Sequence, residues 1–354
     1  MKRILVAPLN WGLGHASRSI PLIQALEKAG AEVFLASDGA ALHLLKAEFP
    51  HLPVLRLPSY KIRYAGSNMV RNIGAQLPRI IYAIRSEQRA TESIVKKYGI
   101  HGVLSDNRYG CFSRAARSNV LLTHQLEVRT PIALLQWGAN RVLQLALRKF
   151  DRIWAPDAAG DPNLSGALSH GWNKHPFVQF IGVLSRMRDY PREMEYDVAV
   201  VLSGPEPQRS ALESLLLEQA MVLPQKFIFI QGKTESKQHY YAADHVEVVS
   251  YLTSKELNDV LCAAGAVVCR SGYSSIMDLA AIGKKALLIP TPGQTEQEYL
   301  ADLLAAQSIC CVQKQTQINL ENALETIPAT RGFTPGQFAC DDFIPILNEW
   351  LDSL

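Results

Sequence analysis

Short apolar runs alternate along the chain with longer stretches whose apolar residues recur at helical spacing, the pattern of strands buried on both faces by helices. Residues 3–9 read as a first strand. Residues 16–29 follow as a helix with Ile20, Leu22, Ile23 and Leu26 on its inner face and Gly30 as its stop. A strand over 32–36 and a helix over 38–49, opened by Asp38 as a cap, repeat the unit. Further strands are expected at 103–106, 120–123, 153–156 and 177–183, with a helix over 130–150 between the second and third of these. Residues 157–176 are polar and rich in Gly, Asn, Ser and His, hence loop. The alternation resumes with strands at 197–202, 227–231, 246–249, 266–269 and 286–289, helices at 254–264 and 273–282, and a closing helix over 337–351. This order predicts an α/β protein of two Rossmann-like, doubly wound parallel-sheet domains. Their expected bounds are 1–186 and 197–335, with a charged linker at 187–196 and a closing segment at 336–354.

Residues 269–304, CRSGYSSIMDLAAIGKKALLIPTPGQTEQEYLADLL, form a complete strand-loop-helix-strand-loop-helix unit. The strand ends at Arg270-Ser271-Gly272, and Tyr273 opens a helix capped by serine at its start and by Gly283 at its end. Backbone N–H groups, the Ser271 and Ser274 hydroxyls and the helix dipole converge there, which suits a diphosphate held without a metal. The next strand runs into Pro290-Thr291-Pro292-Gly293 and the polar set Gln294 to Glu298, groups able to read sugar hydroxyls. RSG, Asp278, LAAIG, a strand ending in proline and then QxEQE together resemble the donor-site signature of the peptidoglycan N-acetylglucosaminyltransferases, glycosyltransferases of the GT-B fold and family 28 type.

The resemblance implies two domains facing across a cleft, with a last helix crossing back to the first domain. It implies a uridine-diphosphate sugar donor in the second domain, an acceptor in the first, no cofactor and no required metal. Ser271, Gly272, Tyr273 and Ser274 would form the anion clamp with Arg186, which lies in a GVLSR junction similar to the family's. Asp278 would hold the ribose, backbone near Leu252 the uracil, and Ser203-Gly204 a further donor turn. Gln297 and Glu298 would meet the sugar. The family carries two adjacent glutamines where this chain has Gln297-Glu298, so the donor sugar stays open.

In the first half, GLGHASRSIPL after the first strand resembles the first loop of GT-B enzymes, in which a histidine follows a glycine turn. His15 is either a catalytic base or a helix cap. Asp106, at the end of its strand, is either its carboxylate partner or a plain cap. Gly12, Gly14, Asn107, Arg108 and His124 sit at strand ends on the same edge and are the candidate acceptor contacts. The glycine turn lacks the third glycine and the acidic strand end of a dinucleotide site, which argues against NAD. Residues 58–99 interrupt the alternation with a loop and a long helix carrying Arg71, Arg79, Arg85, Arg89, Lys96 and Lys97, either a solvated basic face or a contact with anionic lipid.

Composition narrows the classes further. With 354 residues, 48% of them hydrophobic, two cores are affordable, and a net charge of +3 is too mild for nucleic acid as main partner. The six cysteines show no metal-ligand spacing and read as reduced core thiols. The amino-terminal apolar run breaks at Pro8 with no cleavage site, and no run is long enough to span a bilayer. The expectation is a cytoplasmic protein, peripheral on the inner membrane face if its acceptor is lipid-linked. Two rivals stand beside an inverting transferase: a nucleotide-sugar hydrolase of the same fold, and a non-catalytic sugar-nucleotide binder. An epimerase would need a carboxylate pair at the sugar carbon, and none is assignable.

Overall fold

The computed structural model describes the chain apart from residues 61–68, 129–132, 171–176, 205, 235–237, 335 and 339, and apart from the side chains of 69–78. It divides into two compact units, one of Met1–Asn10, His15–Leu184 and Ala339–Leu354, the other of Trp11–Gly14 and Ser185–Phe338.

The first unit holds strands β1 (Arg3–Pro8), β2 (Glu32–Ser37), β3 (Val54–Arg56), β4 (Gly102–Asp106), β5 (Ser118–Leu122), β6 (Arg152–Ala155) and β7 (Val178–Phe180). Their order is β3-β2-β1-β4-β5-β6-β7, and every pairing is parallel. Helices α1 (Gly14–Lys28), α2 (Gly39–Glu48), α3 (Met69–Tyr98), α4 (Ala133–Leu147) and α5 (Ala167–His170) connect them. The central strands read as apolar runs because both faces are covered: Ile4, Leu5, Val6, Val103, Leu104 and Val120 have no exposed surface. Strand order reverses between β1 and β4, so the loops after these two strands open the crevice where such sheets take ligands.

The second unit holds β8 (Tyr196–Val201), β9 (Phe227–Ile230), β10 (His239–Ala243), β11 (Val246–Val249), β12 (Ala264–Cys269), β13 (Ala286–Leu288) and β14 (Cys311–Val312) in the order β10-β11-β9-β8-β12-β13-β14. The edge strand β10, absent from the sequence reading, pairs antiparallel with β11. It escaped because HYYAA is short and half exposed, with no buried run to mark it. Its helices are α6 (Gln208–Ala220), α7 (Ser254–Cys262), α8 (Tyr273–Ile282), α9 (Thr295–Ala306) and α10 (Leu320–Thr326). Here the switch point lies between β8 and β12.

The last helix, α11 (Phe343–Asp352), belongs to the first unit. Trp350 is fully buried, meets Trp154 edge to face at 5.5 Å, and donates from Nε1 to Ser118 Oγ at 3.0 Å. Gly102 makes room for it, since a Cβ there would stand 2.7 Å from the Trp350 ring.

Three local expectations are corrected. Residues 187–196 are not a free linker: Met187 is buried, and Arg188 N–H donates to Asn258 Oδ1 at 2.8 Å within the second unit. Asp38 occupies the N-cap position of α2 without a side-chain cap bond, because its carboxylate is taken by Arg108 and Asn10. Residues 157–170 are not all loop, since Asp157 accepts from Leu164 N, Ser165 N and Ser165 Oγ and draws the chain into a tight bend before α5. None of the six cysteines forms a disulfide, and all but Cys340 are buried. Among the described residues no helix is long and apolar enough to cross a membrane.

Candidate functional site

The chain leaves β1 through Gly12, whose φ of +76° is left-handed and suits glycine, and enters α1 with His15 in its first turn. Parallel pairing puts Pro8 opposite Asp106 at the end of β4, so both sides of the switch point carry a candidate catalytic group. His15 Nδ1 lies 2.9 Å from Asp106 Oδ1. Arg18, one turn further along α1, sends a two-pronged guanidinium onto the same carboxylate, with Nε 2.7 Å from Oδ2 and Nη2 on Oδ1. Its Nη1 is 2.9 Å from His124 Nδ1.

The electrostatics follow from burial. Desolvation pushes the fully buried Asp106 carboxyl up, but Arg18 and His15 outweigh it and hold it at about 2. Asp106 is therefore an ionised acceptor, and Nδ1 of His15 carries the proton that faces it. Burial lowers the affinity of His15 for a second proton; Asp106 opposes this and Arg18 reinforces it, and the net direction is down. The product is a neutral imidazole whose Nε2 is left with its lone pair, the form a general base requires.

The remaining first-unit candidates divide. Asn107 has φ of +56°, uncommon for a residue with a side chain, and its Oδ1 is buried without a hydrogen-bond partner. Strain and an unmet acceptor side by side at a strand end are what a ligand-facing residue shows. Arg108 is a correction: it is fully buried, bound to Glu87 at 2.7 Å, to Asp38, and through Nε to Pro8 O at 3.0 Å. It pins the end of β1 and is not free for an acceptor. His124 is likewise buried, 3% exposed, with Nδ1 turned to Arg18.

In the second unit, Ser203-Gly204 follows β8 and Arg270 to Ser274 follows β12, again flanking the switch point. Gly204 has φ of +105° with open space where a Cβ would stand. The N-cap of α8 is Gly272 without a side-chain cap bond, and Gly283 closes the helix in the left-handed conformation. The expected serine cap is absent because both hydroxyls are committed: Ser271 Oγ donates to Gln297 O at 2.8 Å, and Ser274 Oγ donates to Gly14 O at 2.9 Å. Tyr273 is 2% exposed, so its contribution to an anion site is its backbone. Beneath this helix start, the buried Arg270 guanidinium meets Gln208 O and Gln315 Oε1 with no carboxylate, and burial pushes its pKa down to about 10.

Asp278 is half-buried. One oxygen accepts from Ser185 Oγ at 2.6 Å, and desolvation raises its carboxyl to about 6 despite the neighbouring Arg186. Arg186 donates to Ser254 Oγ at 3.0 Å, which links it to the start of α7, just past half-exposed Leu252. Gln297 is buried, and its Oε1 accepts from Thr291 N at 2.8 Å; Glu298 accepts from Gly293 N at 3.0 Å. Both side chains shape the loop after β13, a role the sequence reading had not assigned. Among the described residues, no three His, Cys, Asp or Glu side chains converge as metal ligands would.

Arg18, Glu87 and Ser185 were missed. Arg18 was readable: it stands three residues after His15 on a helix, the spacing that puts two side chains on one face.

Residues 199–332 match the model of the glycosyltransferase family 28 C-terminal domain. The chain is a glycosyltransferase of the GT-B fold whose second unit resembles family 28. It is 23% identical over 336 residues, 92% of this chain and 88% of the relative, to the UDP-N-acetylglucosamine–N-acetylmuramyl-(pentapeptide) pyrophosphoryl-undecaprenol N-acetylglucosamine transferase of Pasteurella multocida. Among solved structures, Acinetobacter baumannii MurG aligns over 99% of this chain and all of its own at a TM-score of 0.56 and 13% identity. The calicheamicin glycosyltransferase CalG4 aligns over 100% of this chain and 95% of its own at 0.60 and 15%. This GT-B glycosyltransferase therefore acts by sugar transfer, and hydrolysis is not favoured.

Proposed function

We propose that this glycosyltransferase moves a sugar from a UDP-sugar, with UDP-N-acetylglucosamine the first candidate, to a hydroxyl of a lipid-linked or saccharide acceptor, with inversion and without a metal. The observation that carries the reading is the neutral His15 backed by ionised Asp106 at the first switch point of a chain whose second unit resembles family 28. His15 Nε2 takes the proton of the acceptor hydroxyl as its oxygen bonds to the anomeric carbon. The bond from that carbon to the diphosphate breaks, and UDP leaves with the electron pair. A single displacement of this kind inverts the centre. The α8 N-terminus, Arg270 behind it and Arg186 supply positive potential for the departing charge. Asp278 holds the ribose, and Asn107 contacts the acceptor.

The lipid-linked alternative among acceptors draws support from α4. Leu134, Leu135, Trp137, Val142 and Leu145 are exposed there, Trp137 by 69%, beside exposed Arg141, Arg148 and Lys149. The opposite face buries Leu143 and Leu147 in the core. An apolar stripe flanked by cations fits the surface of an anionic bilayer, and the relative's name places its own acceptor on undecaprenol.

Titration calorimetry with UDP in excess chelator, paired with a UDP-release assay, tests the reading. Binding that survives chelation and release that requires acceptor are expected. Loss of binding on chelation removes metal independence, and release at full rate with water alone makes the protein a hydrolase.

A further inference from the structure

Arg18 is a charge in the wrong place for an ordinary amphipathic helix. It is 2% exposed on the inward face of α1, next to Ile20, Leu22 and Ile23, which are fully buried. Burying a guanidinium is costly unless its donors are matched, and here they are: two go to Asp106 and one to His124. A cation forced into the core at this point serves the carboxylate it grips. Asp106 lies on the end of β4 and His15 at the start of α1, so Arg18 ties the helix bearing the base to the strand bearing its partner.

We propose that Arg18 is a positioning residue: its guanidinium fork fixes the Asp106 carboxylate and thereby the orientation and Nδ1–H tautomer of His15. The proposal rests on the reading of His15 as the base. It has a second structural consequence. A guanidinium has no acceptor, so the Arg18 to His124 contact requires Nδ1 of His124 to accept, which fixes His124 as the Nε2–H tautomer. The chain Nε2–H of His124, Arg18, Asp106, Nδ1–H of His15 is then fully determined, and the lone pair of His15 Nε2 is its one open end.

The charged and titratable groups facing His15 are Arg18 on its own helix, Asp106 from β4 and His124 from the segment after β5. Asp106 favours the imidazolium while Arg18 disfavours it. Removing the Arg18 charge therefore raises the His15 pKa, and the acid limb of the kcat/KM profile moves to higher pH with it.

Ring-labelled histidine NMR of the intact protein, assigned with His15→Gln and His124→Gln, reads both tautomers directly. The expected result in the wild-type protein is Nδ1–H for His15 and Nε2–H for His124; an Nδ1–H tautomer at His124 overturns the proposal. In Arg18→Met, both the His15 titration and the acid limb should move up. In Arg18→Lys, which keeps the charge but not the fork, the limb should stay near its wild-type position while the plateau of kcat/KM falls about tenfold or more. Arg18→Lys also serves if Arg18→Met does not fold: full activity in it overturns the fork's role. An unmoved His15 titration in folded Arg18→Met overturns the electrostatic coupling. If the His15 titration moves and the rate profile does not, the positioning stands and the assignment of His15 as base falls.

Discussion

Asp278→Asn should make the protein more stable and a poorer nucleotide binder, and both effects follow from one half-buried, desolvated carboxylate. Its carboxyl is raised from 3.8 to about 6 by desolvation, against the pull of Arg186 and Ser185. A raised carboxyl pKa means that the folded state prefers the protonated form. The associated stability is fully present below pH 3.8 and is lost as pH rises through about 6. The gap of about 2 units corresponds to about 3 kcal/mol once the group is ionised. Asparagine keeps the shape and an oxygen for the Ser185 hydroxyl but never ionises. Its advantage over the wild type should be about 1.5 kcal/mol at pH 5 and about 3 kcal/mol at pH 8. Calorimetric melting of the intact chain at the two pH values reads this as a Tm gain of roughly 5 °C or more at pH 8 and clearly less at pH 5. UDP affinity should drop about tenfold or more, because a bond from the ribose to a charged acceptor contributes about 1.5–3 kcal/mol. Identical pH dependence of the two melting curves refutes the burial argument. Unchanged UDP affinity refutes the ribose assignment.

Trp350→Ala should destabilise the first unit by about 3–5 kcal/mol, since it empties the space between Trp154 and Gly102; a Tm within about 1 °C of wild type contradicts the docking of α11 there. Trp137→Ser combined with Leu134→Ser should abolish co-sedimentation with vesicles containing phosphatidylglycerol without lowering Tm, because both side chains are exposed. Retention of full vesicle binding by the double variant removes α4 as the membrane surface.

The sheet architecture was legible because buried parallel strands are apolar runs and their helices carry a clear inner face. Boundaries in the core fell within a few residues, as at α8, where Gly283 stops the helix. What escaped lacks such a signal. Strand β10 is half exposed, and residues 187–196 look like a linker by charge while Tyr196 begins β8 and Met187 is buried. The expectations for 61–68 and 129–132 lie outside the described residues. At the site, strand ends could be named from sequence, but which side chain is spent on structure could not. Arg108 and Asn107 are neighbours with the same apparent claim to a ligand. Only three-dimensional packing shows that Arg108 is consumed by Glu87 and Asp38 while Asn107 holds an unmet oxygen. Gln297 and Glu298 are similar: their motif resembles a donor-site signature, while their side-chain oxygens are spent on the loop after β13.

The central claim is that His15 is the base of a sugar transfer whose donor is held elsewhere, on the second unit. The most direct measurement is His15→Ala, with UDP binding by calorimetry and acceptor-dependent UDP release followed on the same preparation. The account predicts UDP affinity within about twofold of wild type and turnover reduced about 100- to 10,000-fold. Turnover at the wild-type rate, or a loss matched by a fall in the folded fraction alone, would contradict it.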